Sequence, residues 1–74
     1  MIRYSVPINL HRYRDTSDRP TSATMRFAAA SLDDLHEQVH EWRSRVWETE
    51  EPILRGRTPW FVGMVFPEAA EVLQ

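Results

Sequence analysis

The chain has 74 residues, no cysteine, nine arginines, no lysine and a formal net charge of −2. That length allows one domain, residues 1–74, and folding at this size buries only about 60% of the unfolded surface. Disulfides and thiolate metal sites are excluded by composition, and a sequence pI near 5.8 argues against the strongly basic class of nucleic-acid domains.

The first element is a strand. Ile2, Tyr4, Val6, Ile8 and Leu10 alternate with Arg3, Ser5, Pro7, Asn9 and His11, the period of a half-buried strand. Pro7 has no N–H to give to a ladder, so one side of the strand is expected to be unpaired there. His11 falls in the outward set and is expected at the surface, with no acidic partner identifiable beside it. Residues 14–20, RDTSDRP, are turn formers without periodicity and predict a mobile hairpin loop. Ala23, Met25, Phe27 and Ala29 then alternate with Ser22, Thr24, Arg26 and Ala28, a second strand.

Residues 31–47, SLDDLHEQVHEWRSRVW, predict the one long helix. Ser31 is placed to cap it and Asp34 completes a capping-box spacing. Leu32, Leu35, Val39, Trp42 and Val46 form one apolar stripe. The acids Glu48, Glu50 and Glu51 and then Pro52 place its end near Glu48.

Inside this helix lies His36-Glu37-Gln38-Val39-His40. That string resembles the H-E-x-x-H signature of zinc peptidases, in which two histidines one turn apart hold the metal and the glutamate is the base. The resemblance covers five residues. At about 100° per residue, Glu37 points about 180° from the centre of the apolar stripe, into solvent. A catalytic zinc also needs a third protein ligand, and Arg43 and Val46 stand where the extended motif has Gly and His. The expectation is no catalytic residue, no enzyme, no cofactor and no metal site, with His36 and His40 at most an adventitious pair.

Residues 49–58 predict an acidic-then-basic connection pinned by Ile53 and Leu54, with a turn at Gly56. Residues 60–66, WFVGMVF, form the most apolar run and predict a third strand. Trp60, Val62, Met64 and Phe66 are assigned to the helix side, Phe61 and Val65 to the other. Pro67 predicts a short C-terminal helix over residues 68–73.

The resulting expectation is an α+β fold of β-β-α-β order, with a mainly antiparallel sheet of three strands and one main helix on one face. Strand order 3-1-2 is preferred, with a bulge absorbing Pro7. The uncovered face and adjoining loop would carry Arg3, His11, Arg12, Arg14, Arg26, Phe61 and Val65. Arginines mixed with aromatic and apolar groups are the chemistry of interface hot spots.

Charge is also segregated. Residues 1–31 hold five arginines against two aspartates, whereas residues 32–54 hold seven acids against two arginines. A dipolar domain of this kind steers partners electrostatically. The expected function is a non-enzymatic protein-binding module, an inhibitor or regulator that occludes a larger partner protein, with a homodimer as a further possibility. In size and layout the chain resembles the small accessory and inhibitor proteins of phages and mobile elements, anti-CRISPR proteins among them. Binding of nucleic acid through the arginine-rich strand face, or an antitoxin-like role, is the alternative. No segment has transmembrane length and no signal-peptide order opens the chain, so a cytoplasmic location without membrane contact is expected.

Overall fold

A computed structural model describes residues 1–73. Five strands and one long helix follow in the order β1 (Ile2–His11), β2 (Thr21–Ala29), α1 (Leu32–Glu48), β3 (Ile53–Arg55), β4 (Thr58–Val65) and β5 (Glu71–Val72). The class is α+β, with the sheet ordered β2-β1-β4-β3 and β5 pairing with β1 beyond the end of β4. All the pairings are antiparallel. The expected three strands are therefore four on the main path plus a short fifth. β3 and β5, at three and two residues, are too short to show a period of two.

Alternation in β1 decides the core. Tyr4, Val6, Ile8 and Leu10 are buried and pack with Ala29, Leu35, Val39, Val46 and Val62. The helix lies in the curl of the sheet, touching β2 on one side and β4 on the other. Phe27 of β2 meets Trp42 edge-on, with ring centroids 5.5 Å apart. Leu32, expected in the buried stripe, is exposed; it is the first residue of the helix, and burial begins at Leu35.

Both helix ends are capped. The Ser31 hydroxyl accepts from the Asp34 N–H, and the Asp34 carboxylate accepts from the Ala30 N–H and the Gln38 amide. At the other end the Glu51 N–H donates to the Val46 carbonyl and the Glu50 N–H to that of Trp47. Those are the two bonds of a Schellman motif, and they force Glu50 into the left-handed region at φ 57°.

Pro7 is accommodated by strand order rather than by a bulge at its own position. The carbonyls of Arg3 and Pro7 accept from the Leu73 and Phe66 N–H groups, so odd-numbered residues of β1 point towards β4 and β5. The pairing with β4 ends at Ile8–Val65 and that with β5 begins at Ser5–Glu71. The missing N–H of Pro7 falls in the gap between them, where no strand needs it.

A bulge does occur, in β4. Between Leu10–Val62 and Ile8–Val65 the partner strand carries one residue too many. The extra residue shifts the alternation: Val62 and Val65 both pack on the core, while Met64 is 60% exposed. This corrects the sequence-based facing of residues 60–66. Trp60 and Val62 keep their expected side, but Met64 and Val65 exchange places. Leu54, expected to pin the connection, is exposed while Ile53 packs on the core.

The β3–β4 hairpin closes on Gly56 and Arg57. Gly56 has φ +66° and Arg57 does not share it, as in a two-residue turn with Gly first. The expected C-terminal helix is also corrected. Pro67–Ala69 make a single 3-10 turn, and the chain then extends as β5. A six-residue helix is below the length that sustains itself, and pairing with β1 satisfies groups at Arg3–Ser5 that a helix would leave open.

Candidate interaction surface

The β1–β2 loop organises the largest cluster of polar chemistry. Asp18 closes it: one carboxylate oxygen accepts from the Arg12 N–H at 2.7 Å, and the other faces His11 Nδ1 at 3.3 Å. The Arg12 N–H holds the Asp18 carboxyl below its ordinary pKa; its own N–H, His11 and the Tyr13 N–H add to this, and desolvation opposes it. Thr16 donates its N–H to the Tyr13 carbonyl, and Ser17 donates its own to Asp15. The loop expected to be mobile is tied at both ends.

His11, expected at the surface without an acid, is buried beside Asp18. Its ring lies on Gly63. A Cβ at Gly63 would stand 2.7 Å from both Cδ2 and Nε2 of His11, so the bulge leaves room for the ring only with glycine there. The Gly63 carbonyl accepts from Arg43 Nε at 2.7 Å. The helix thus supplies a donor for a backbone group at the ladder's disruption.

Around this anchor two indole rings each carry two guanidiniums. Arg12 and Arg55 lie 5.4 and 5.5 Å from the centre of Trp60. Arg14 and Arg43 lie 6.0 and 5.4 Å from that of Trp47. Arg14 also reaches Glu50 at 3.2 Å. Cation–π contacts at exposed sites contribute roughly 0.5–1 kcal/mol each, enough to hold long side chains in place. Trp47 stays 40% exposed, and Tyr13, between Arg12 and Arg14, is 60% exposed. Beside them Arg43, Trp47, His11, Asn9 and Met64 line an open cleft of about 400 Å³.

The other expected residues divide. Arg3 and Arg26 lie at the far end of the sheet, with Phe27 and Leu73 around a separate shallow cleft. Nine residues of strand, about 30 Å, separate Arg3 from Arg12. Phe61 is half-buried against Val46 and Trp47 in a recess of about 10 Å³, room for a single water at most. Val65 packs on the core, so it is removed from the set by the β4 bulge. Of the expected surface, Arg12 and Arg14 remain together, with Phe61 beneath.

Trp47, Trp60, Arg43 and Arg55 are not among the surface residues that the sequence points to. Arg43 and Trp47 stand at i and i+4 on the helix, a spacing that brings side chains together, so that pair was available. The Arg55–Trp60 contact depends on the hairpin turn at Gly56.

In the HEQVH string, His36 is half-buried while Glu37 and His40 are exposed. Among the described residues no three His, Cys, Asp or Glu side chains are grouped so as to hold a metal ion. No described helix is long and apolar enough to cross a membrane. No family model, curated protein or solved structure matches the chain.

Proposed function

We propose that the chain is a non-enzymatic binding module, a small inhibitor or regulator that covers a site on a larger protein. The observation that carries this reading is the two arginine–tryptophan stacks, Arg12 and Arg55 on Trp60 and Arg14 and Arg43 on Trp47. Arginine and tryptophan are the residues most enriched at energetic centres of interfaces, and stacking holds these side chains in place before a partner arrives. The partner surface that fits is acidic with apolar pockets.

Single-stranded nucleic acid is the second reading, favoured by the exposed ring of Tyr13 between two arginines. It ranks lower because guanidiniums already lie over the two indoles, where bases would stack.

Affinity capture from the native host, with the intact chain and with Arg12→Glu/Arg55→Glu, tests the first reading. The expected result is one specific protein whose affinity falls at least about thirtyfold in the double variant, the loss of a single hot spot, and is unchanged in Arg3→Glu. Equal affinity for the intact chain and the double variant refutes it. Capture of oligonucleotides instead, weakening steeply with salt, replaces it with the second reading.

A further inference from the structure

The two borders of the sheet differ in kind. β3 is three residues long and follows Pro52, so its outer side offers little to pair with. β2 is nine residues long, contains no proline, carries one charge, and contacts only β1 and α1 among the described residues. Because odd residues of β1 point to β4 and β5, even ones point to β2, where they face Thr21, Ala23, Met25, Phe27 and Ala29. Ser22, Thr24, Arg26 and Ala28 therefore aim their N–H and C=O groups outward, along a border with none of the usual blocks to strand addition.

We infer that this border pairs with the same strand of a second copy, antiparallel about a two-fold axis through Met25. In that register Arg26 lies opposite Thr24 of the second copy, Ser22 lies opposite Ala28, and Phe27 lies opposite Ala23. A shift by one residue towards the C-terminus would set the two Arg26 side chains against each other, which is unfavourable. Large faces small on the helix side, and the outward groups of Ser22, Thr24, Arg26 and Ala28 all find partners.

The helix flank above β2 adds charge of both signs beside the same border. Gln38, Glu41, Trp42 and Arg45 line a cleft with Phe27, two residues from the axis, and Glu41 and Arg45, one helical turn apart, have no ion partner among the described residues. The flank therefore offers a second copy both an acid and a base. With a helix above each β1, the two axes stand roughly 14 Å apart, three strand spacings, within reach of side chains from helices about 10–12 Å across.

Sedimentation equilibrium of the purified chain, with circular dichroism to check the fold, tests the pairing. The intact chain is expected to dimerise. Thr24→Glu places a carboxylate opposite each Arg26 and tightens the dimer, whereas Thr24→Lys loosens it. Two cross-strand charge pairs amount to about two- to thirtyfold in each direction. Thr24→Pro, which removes an outward N–H and no internal bond, gives a folded monomer. A chain that stays monomeric at about 1 mM overturns the inference. So does a dimer whose affinity is the same in Thr24→Glu and Thr24→Lys, a comparison that holds even if the proline variant does not fold.

Discussion

Glu50 occupies the one position of the helix C-terminus where glycine is the natural choice. Its φ of 57° is imposed by the two bonds that close the helix, from Glu50 N–H to Trp47 and from Glu51 N–H to Val46. A residue with a Cβ gives up about 1–2 kcal/mol in that conformation. The carboxylate also lies at the negative end of the helix dipole, a further cost of about 0.3–1 kcal/mol. Glu50→Gly removes both. Against this, glycine widens the unfolded ensemble by about 0.4–1 kcal/mol. The contact with Arg14 is lost too; its side chains are 48% and 61% exposed, so it contributes about 0–1 kcal/mol. The balance is a gain of about 1 kcal/mol, or a rise in Tm of about 4–8 °C for a domain of this size.

Glu50→Ala separates the causes, because alanine loses the ion pair and the dipole term but keeps the strained backbone. Urea and thermal unfolding of the three proteins should place Glu50→Gly above Glu50→Ala by about 1 kcal/mol. If alanine equals or exceeds glycine, the strain at this residue is not what limits the helix end, and the reasoning fails.

Two further outcomes follow from the loop anchor. Gly63→Ala should destabilise by about 1–3 kcal/mol, an overpacking cost, since His11 is held between the new methyl and Asp18. Combined with His11→Ala its effect should shrink, and additivity of the two in urea unfolding would count against the contact. Asp18 has its carboxyl held below the ordinary value, so its contribution to stability is complete above the unfolded pKa, near 4, and is lost as pH falls through the folded one. Asp18→Asn should flatten the fall in urea midpoint below about pH 4; an unchanged acid profile would place the pH dependence elsewhere.

What was legible in the chain was whatever repeats along it. The alternation from Ile2 to Leu10 defined the central strand, and the stripe of Leu35, Val39, Trp42 and Val46 placed the helix with its ends, Ser31 capping as expected. What was not legible depends on partners distant in sequence. The one mark of the bulge in WFVGMVF is Gly63, a glycine inside a strand pattern, but the extra residue itself is defined only against Ile8 and Leu10 of β1. The facing of Met64 and Val65 followed from that one residue. His11 looked like a surface residue for a similar reason, since its acid, Asp18, lies seven positions on and is brought back only when the loop closes.

The same distinction explains why the most motif-like string in the chain points nowhere while the arginine–tryptophan stacks carry the functional reading. HEQVH is local, and a helix delivers its two histidines to one side whether or not a third ligand exists. The stacks are assembled from four places: the β1–β2 loop, the last turns of α1, β3 and the start of β4. No periodicity joins Arg12 to Trp60 or Arg14 to Trp47. Yet three of the four contacts are secured by something the fold needs anyway: the Asp18 clasp on the Arg12 N–H, the Arg43 bond to the bulged Gly63 and the Gly56 turn that brings Arg55 beside Trp60. Removing the clasp or the turn would therefore disturb these stacks while Val6, Leu35 and Val39 stay fully buried, whereas removing the bulge would also shift Val62 and Val65 on the core.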